Sequence, residues 1–467
     1  MIHNPETLFM GPTDAPARAA NRTAGRFRRA FAAALTLSLM LLVVAAPRPA
    51  EAMEIQTVTT PGGLTAWLVE DDSVPIVAVN FAFEGGDSQN PDGKEGLANL
   101  LSATLDEGAG NLDSQAFQAR LQDLSVRLSF NSGRDNFYGS LRTLSPTTDE
   151  AFEMLRLAIN EPRFDAEAVE RMKRQIVAGL RNEETDPNAI GGRRFAELAF
   201  PDHPYGKPRD GTIETVTGLT SEDLASLRQR LFARDGLKIA VVGAIDADKL
   251  ATELDKVFAG LPETGDLTPV ADITPRTDIT ETVSLDVPQT SIRLGLPGLK
   301  RDDPDFIPAF VMNHILGGGS FSSWLYEEVR EKRGLAYSVG SYLIDYAHSG
   351  MLAVATATRA DRAGETLSII DEQVARMAKD GPSAEELAKA KAYLTGSYAL
   401  RFDTSDKIAG QLLGLQVQGI GKEYIEERND LIEAVTLEDI ARVRKRLLDG
   451  AAPLVVTVGP QAPAVAQ

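Results

Sequence analysis

An arginine and a tyrosine on either side of a glycine are the residues of this chain with the clearest chemical potential. Gly334 is a natural end for a helix over residues 325–330, which places Arg330 in or near the last helical turn and Tyr337 at the start of the next strand. Such a turn can direct both side chains into one cleft. A phenol can donate a hydrogen bond to an oxyanion, and a guanidinium can hold a carbonyl oxygen through several N–H donors. Taken singly, Arg330 is more typical of an ordinary surface helix residue and Tyr337 of an ordinary strand aromatic.

Metal chemistry has few candidate ligands in this sequence. A catalytic zinc site needs three protein ligands and one open position. The only histidines are His3, His203, His314 and His348, and none of the last three has a second His or a Glu at the spacing of a helical metal site. His203, in a proline-flanked loop, and His314, on an apolar helix face, are interpreted as structural. A zinc site rebuilt from these residues is the alternative.

Asp106 and Glu107 are the most tempting pair of carboxylates for acid–base chemistry. Neighbours in sequence on a helix point in different directions, so the two cannot act jointly on one substrate atom. We interpret them as a solvated helix end before Gly108.

Composition excludes several classes of function. The chain carries 48 basic and 67 acidic residues, a net charge of −19, which argues against nucleic acid or anionic lipid as a partner. It has no cysteine, which excludes thiol catalysis and cysteine-based zinc sites. A chain of 467 residues is long enough for two domains of ordinary size.

The first 52 residues are typical of an export signal. Three arginines at positions 26, 28 and 29 precede an apolar run over residues 30–46, and Ala50-Glu51-Ala52 offers a cleavage site before Met53. We expect cleavage there, a periplasmic location and no membrane span in the mature chain. An uncleaved anchor is the alternative, although the apolar run is at the short limit for a spanning helix.

The two halves of the chain repeat each other. Residues 220–224 with the apolar run 238–243 match residues 436–440 with the run 454–459, and both pairs lie 216 positions apart. A period this long indicates duplicated domains and not a solenoid. We predict domains over 53–261 and 281–462, joined by a Pro/Thr/Asp-rich linker over 262–280.

Periodicity predicts an α+β fold in which antiparallel strands pack with grouped helices. Helices are predicted over 114–124 and 365–379. Strands are predicted over 76–83, 126–130, 137–142, 292–296, 336–344 and 350–358.

The segment around Arg330 resembles the second-half signature of the M16 (pitrilysin-like, mitochondrial-processing-peptidase-like) peptidases. The similarity rests on the glycine run 317–319, Ser322, Arg330 and the run 333–337 in one frame. It extends from about residue 64 to residue 459. The resemblance implies two M16-type metallohydrolase domains, each an antiparallel sheet packed with helices, that face each other across a chamber. In these enzymes the Arg and Tyr reach the peptide at the zinc. The glycine run lacks the Gly-Lys-Ser/Thr of a phosphate cradle and is interpreted as a close-packed turn between helices.

The family's zinc motif is missing from the matching position. The frame over residues 94–108 fits its surroundings, but Asn99, Ser102 and Ala103 occupy the places of the inverted His-x-x-Glu-His ligands and base. The family's third ligand, a Glu, aligns with Ala178 or Gly179. The resemblance therefore implies that no metal and no cofactor is held by this chain.

We expect this chain to be the non-zinc subunit of a heteromeric peptidase. A zinc-bearing M16 partner would supply the metal, and this chain would contribute Arg330, Tyr337 and a peptide-binding surface to which the substrate adds as a strand. An inert scaffold or peptide-binding subunit is the main alternative, and a self-sufficient peptidase with an unusual metal site is a third.

Overall fold

Each half of the repeat forms a mixed β-sheet. The computed structural model describes residues 53–460; the predicted signal segment over 1–52 lies outside these residues, and the domain limits remain predictions. The first eight strands are β1 (Gln56–Thr59), β2 (Thr65–Glu70), β3 (Ile76–Glu84), β4 (Gly108–Ala109), β5 (Leu112–Asp113), β6 (Arg127–Ser132), β7 (Asn136–Leu144) and β8 (Lys238–Gly243). The remaining five are β9 (Ile279–Ser284), β10 (Gln289–Pro297), β11 (Ala336–Tyr346), β12 (Ser349–Arg359) and β13 (Leu454–Gly459).

The two sheets have the same strand order. The first runs β1-β2-β8-β3-β7-β6 and the second, read from its other edge, β9-β13-β10-β12-β11, while β4 and β5 pair separately. Apart from the extra β1, each strand of one sheet has a counterpart in the other. The duplication that the 216-residue offset predicted therefore extends to topology, and β6 and β11 are the equivalent edge strands.

Fourteen α-helices lie in the described part of the chain, and two π-helical segments, His314–Gly318 and Tyr326–Glu331, follow the ninth. No helix within residues 53–460 is long and apolar enough to cross a membrane. In chain order the helices are α1 (Leu97–Thr104), α2 (Ser114–Asp123), α3 (Thr148–Asn160), α4 (Ala166–Glu183), α5 (Pro187–Ala199), α6 (Ile213–Gly218), α7 (Ser221–Leu231), α8 (Ala247–Phe258), α9 (Phe306–Asn313), α10 (Ala363–Lys379), α11 (Ala384–Gly396), α12 (Ser405–Val417), α13 (Tyr424–Ala434) and α14 (Leu437–Leu447).

The predicted strands and helices are confirmed to within a few residues, and the α+β class is confirmed. The sheets differ from the expectation in one respect, because each contains a parallel pair, β2 with β8 and β9 with β13. In each half, most of the helices lie in sequence between the two strands of the parallel pair. The chain therefore crosses over through these helices and returns in the same direction.

The repeated helix starts have the same physical cause. Thr220 and Thr436 cap α7 and α14, and each forms a capping box with an aspartate three residues later. The threonine accepts from the Asp223 or Asp439 amide, and the aspartate accepts from the threonine amide in return. These short polar motifs fix where each repeated helix begins.

The core of the first half is rich in aromatic residues. Phe83 stacks on Phe232 with 4.4 Å between ring centroids, and Phe81, Phe137 and Phe258 pack around this pair. All five are essentially inaccessible to solvent. Such rings bury large apolar areas, which is how a chain without disulfides holds its sheet and helices together.

The halves exchange helices. Helix α5, from the first half, lies against β10 and β13 of the second sheet, and α12, from the second half, lies against β3 and β8 of the first. Asn188 of α5 accepts a hydrogen bond from the Ser291 hydroxyl at 2.8 Å. Gln416 of α12 donates to the Ile239 carbonyl at 2.8 Å.

A partly buried polar network joins the tip of the β11–β12 hairpin to the first half. The Tyr205 hydroxyl donates to Asp135 at 2.5 Å and accepts from the His348 amide at 3.1 Å, while the Ala347 amide donates to Asp135 at 3.0 Å. Nearby, Asp87 is buried opposite Arg134, whose guanidinium lies 3.5 Å from the carboxylate.

Burial raises the pKa of Asp87 to about 7, against the opposing effect of Arg134 and Arg209. In the unfolded chain its pKa is the ordinary 3.8, so between these values the folded state binds one proton more than the unfolded state. We predict that the unfolding free energy of the wild type falls relative to that of Asp87→Asn as pH rises from about 4 to 7, by up to roughly 4 kcal/mol.

Urea titrations at pH 4, 5, 6, 7, 8 and 9 measure this difference. The difference should be flat above pH 8, where Asp87 is ionised in both states. A difference that stays constant from pH 4 to 8 would show that the two arginines keep the carboxylate ionised throughout.

Candidate functional site

The turn that carries Arg330 is closed by backbone hydrogen bonds. The Gly334 amide donates to the Arg330 carbonyl and the Leu335 amide to the Val329 carbonyl, both at 2.9 Å. Gly334 has a φ of +59°, a left-handed conformation that glycine adopts without steric cost. The predicted helix end at Gly334 is thus confirmed, and strand β11 begins two residues later at Ala336.

A β-bulge at the start of β11 determines where Tyr337 points. Ala336 pairs with Thr358 and Val339 with Thr356, so Tyr337 and Ser338 together oppose one residue of β12. The Thr356 hydroxyl holds the bulge by donating to the Ser338 carbonyl at 2.7 Å. A bulge re-aims the side chains that it carries, and the Tyr337 ring is left 86% exposed.

Arg330 and Tyr337 lie side by side. The Arg330 guanidinium carbon is 5.2 Å from the centroid of the Tyr337 ring and 4.8 Å from that of Tyr326, with Phe321 at 6.0 Å. Cation–π contacts of this kind restrain the arginine without occupying its N–H donors. Within the described residues the guanidinium has one ion pair, a 4.0 Å contact to exposed Glu331, which contributes little. The pair is positioned to donate hydrogen bonds to a bound molecule.

The aromatic surroundings of Arg330 are functional candidates that the sequence analysis missed. Phe321 is 78% exposed and packs edge-to-face on Tyr326, with ring centroids 5.0 Å apart. The sequence could have indicated Tyr326, because it precedes Arg330 by four residues and therefore lies on the same helix face. No spacing rule pointed to Phe321, whose short 3-10 turn, Ser320–Ser322, folds back toward the arginine.

Gly317 allows this segment to approach β11 closely. A Cβ on Gly317 would lie 2.6 Å from the Ser341 amide nitrogen and 2.7 Å from the Leu325 Cδ1. The predicted turn is confirmed only in part: Gly317 and Gly318 lie within the π-helical segment His314–Gly318, and Gly319 alone forms the turn to the next helical segment. The run also packs against a strand. This contact therefore fixes the position of the π-helical segment His314–Gly318 relative to β11.

The zinc-motif positions carry no metal ligands. Asn99, Ser102 and Ala103 lie on α1, where the Ser102 hydroxyl donates to the Asn99 carbonyl at 2.8 Å. Ala178 and Gly179 lie exposed on α4, the helix that packs against α1, and a Cβ on Gly179 would meet open space. These residues do not fit a zinc ion, since they supply neither an imidazole nor a carboxylate. Within residues 53–460 no three His, Asp or Glu side chains are grouped to hold a metal.

The histidines that the sequence offered have structural surroundings. The His203 Nδ1 accepts from the Tyr205 amide at 3.1 Å, which places the proton on Nε2, 2.9 Å from the Ala271 carbonyl. His314 is buried against the Tyr393 ring, and burial lowers its pKa. The His348 Nδ1 lies 3.1 Å from the Asp272 carboxylate.

Asp106 and Glu107 have separate partners. Gln118 donates to Asp106, whereas Arg171 and Ser114 both donate to Glu107. Burial raises the pKa of Asp106. The two carboxyls do not form a joint site.

Two family models match consecutive parts of the chain. Residues 66–212 match the model described as "Insulinase (Peptidase family M16)", and residues 218–394 match "Peptidase M16 inactive domain". Together they span most of the described residues.

Individual relatives cover nearly the whole of the same region. A Helicobacter pylori protein named "Non-peptidase homolog YmxG" is 27% identical over 79% of this chain and 88% of its own length. A Rickettsia felis protein named "Uncharacterized zinc protease" is 24% identical over 82% and 93%. A Pseudomonas fluorescens crystal structure described as a "peptidase M16 inactive domain" has 27% identity and a TM-score of 0.82, covering 88% of this chain and 99% of the other.

The close contact at Gly317 can be tested by adding one methyl group. We predict that Gly317→Ala lowers the unfolding free energy by about 1–3 kcal/mol, because the Cβ would overlap the Ser341 backbone and the neighbouring Leu325 side chain. Urea denaturation monitored by circular dichroism measures the change.

Gly179→Ala is the matched control, since its Cβ would enter open space on α4. Replacing glycine within a helix should stabilise the protein by about 0.5–1 kcal/mol. Equal behaviour of the two variants would rule out a tight contact at Gly317.

Proposed function

This chain belongs to the M16 peptidase family and lacks that family's zinc ligands, and we propose on this basis that it is the non-zinc subunit of a heteromeric peptidase. The observation that carries the proposal is the pair formed by half-buried Arg330 and exposed Tyr337, held in place by a glycine turn, a bulge and an aromatic cluster. The zinc would belong to a partner chain of the same family.

The pair's role follows from its donors. The Tyr337 hydroxyl donates a hydrogen bond to the oxyanion that develops on the peptide carbonyl under attack, and the Arg330 guanidinium holds a neighbouring peptide carbonyl. A donor aimed at the oxyanion is worth about 3 kcal/mol, or two orders of magnitude in rate. Neither residue has a strong ion pair or a burial role that would account for its position.

The substrate would be an extended peptide. Strand β11 is an edge strand of its sheet in the described part of the chain and carries Tyr337 at its start. A peptide that pairs with a sheet edge binds through backbone hydrogen bonds and needs no particular sequence. Because the chain is acidic overall, its long-range electrostatic field would favour basic or neutral peptides over acidic ones.

A peptide-binding subunit without any catalytic contribution is the second candidate. It is favoured by the Helicobacter relative, whose name states that it is not a peptidase. Both candidates share a peptide-binding surface, and they differ in whether Tyr337 changes a rate. If the predicted signal segment is cleaved, the protein would act in the periplasm under either candidate function.

Native mass spectrometry of the tagged mature protein, captured from its own host, tests the assembly. We expect a heterodimer with a second M16 chain that carries one zinc. A zinc-free homodimer or monomer would overturn the proposal and favour the second candidate.

In the reconstituted pair we predict that Tyr337→Phe lowers kcat at least roughly tenfold, because the oxyanion loses a donor. Folding and assembly should be unaffected, since the ring is exposed and its hydroxyl is not needed for packing. Tyr393→Phe, at another exposed tyrosine, is the control and should leave turnover unchanged. Unchanged turnover in Tyr337→Phe would contradict the assigned role.

The triple variant Asn99→His, Ser102→Glu and Ala103→His should remain inactive on its own. The position of the third ligand holds Ala178 or Gly179, so only two metal ligands would be restored. Peptide cleavage with and without added zinc measures this. Zinc-dependent cleavage by this chain alone would show that the third ligand lies elsewhere.

A further inference from the structure

A second candidate site, a cavity lined by polar and aromatic side chains, lies further along the strand that carries Tyr337. It has a volume of about 510 Å³ and is bounded by the residues 341–345 of β11, by α9 and by the helices α12 and α13. Three arginines face it: Arg301, Arg401 and Arg428. None of these residues belongs to the Arg330–Tyr337 site.

Arg428 is a buried cation that lacks an acidic partner. Its side chain is 5% exposed, and Nη1 donates to the Leu394 carbonyl at 3.1 Å and to the Asn429 amide oxygen at 3.3 Å. The Tyr398 ring lies 4.2 Å from the guanidinium carbon. These neutral groups offset part of the cost of burying the charge, but a carboxylate would offset it far better.

The other two arginines are also unpaired. Arg301 lies over the rings of Phe306 and Tyr424, at 4.5 and 5.2 Å, and donates to the Gln418 side chain at 3.2 Å. Within the described residues no carboxylate comes within 4 Å of Arg301, Arg401 or Arg428, although the chain has an excess of acidic residues. The cavity wall holds these three arginines and one acidic residue, Asp345, whose pKa is raised by burial against the smaller opposing effect of Arg301. The arginines therefore still make a local surplus of positive charge in an acidic protein.

The rest of the wall defines what kind of anion fits. Phe310, Tyr398 and Tyr424 supply apolar ring faces, so the ligand should carry an apolar group beside its charge. Asp345 also lines the cavity, and burial raises its pKa. Whenever Asp345 is ionised it offsets part of the positive charge of the arginines, so the cavity suits an anion of low charge, such as one carboxylate, better than a multiply charged phosphate.

The geometry points to this cavity as a binding site for the C-terminal carboxylate of a peptide whose last side chain is apolar or aromatic. This inference rests on the proposed function only in taking the ligand to be a peptide. Tyr342, at the cavity, follows Tyr337 by five residues on β11, or about 17 Å at the rise of a strand. A peptide paired parallel to β11 can therefore reach both sites with about five residues.

Fluorescence anisotropy with the mature chain alone tests the site. The probe is a hexapeptide that ends in phenylalanine, labelled at its N-terminus and made with either a free carboxylate or a carboxamide. We expect the free acid to bind at least tenfold more tightly than the amide. Equal affinities, or no binding of either peptide, would overturn the inference.

Arginine variants link this preference to the cavity. The double variant Arg301→Gln/Arg401→Gln should bring the acid and amide affinities within twofold of each other, whereas Arg120→Gln, at an exposed arginine on α2, should keep the full preference. The double variant avoids the buried Arg428, and circular dichroism checks its fold. A preference that survives in the double variant would contradict the assigned site.

Competition distinguishes the sources of the anion. N-Acetylphenylalanine should displace the peptide only at concentrations well above the peptide's Kd, because it lacks the strand contacts. If N-acetylphenylalanine or inorganic phosphate displaces the peptide at or below the peptide's Kd, the ligand of this cavity is a small anion and not a peptide. The assay contains no partner and no zinc, so it does not depend on the existence of a heterodimer.

Discussion

The exchange of α5 and α12 between the two sheets is the constraint on which the rest of the structure depends. Each helix covers a face of a sheet built by the other half, so separating the halves would expose apolar surface on both sheets. The contacts are close: a Cβ on Gly191 of α5 would lie 3.3 Å from Val458 of β13. The two halves therefore act as one unit in holding β11.

Strand β11 is held at both ends. The helix end at Gly334 fixes the start of the strand, and the contact of Gly317 with Ser341 fixes its middle relative to the π-helical segments. At its far end, the hairpin tip is hydrogen-bonded to Asp135 and Tyr205 of the first half. An edge strand restrained in this way presents a defined row of backbone donors and acceptors, which is what recognition by strand addition needs.

The sequence predicted the parts of this structure that depend on local patterns. The short motifs that recur 216 residues apart, the apolar or alternating runs of β3, β7 and β12, and Gly334 as a helix end can each be recognised within a short segment, and the structure confirms them. The helix exchange was not predictable in this way, because an amphipathic pattern shows that α5 buries a face but not which sheet covers it. The three arginines around the cavity beside β11 were not predicted from the sequence for a similar reason. Arg301 and Arg428 are separated by more than a hundred residues and meet only through tertiary packing.

The position of Tyr337 is the strongest physical argument that this surface binds something. A ring that is 86% exposed contributes little burial free energy to the fold, whereas the groups around it are tightly specified. The bulge leaves one residue of β11 unpaired, and Phe321 is left exposed beside the arginine. The close contact between the π-helical segment and β11 at position 317 leaves room for glycine only. The bulge and the exposed Phe321 add little to stability, and together with the close contact at Gly317 they place two hydrogen-bond donors at the start of an edge strand. Stability alone does not account for this arrangement, whereas the peptide recognition that we propose would account for it.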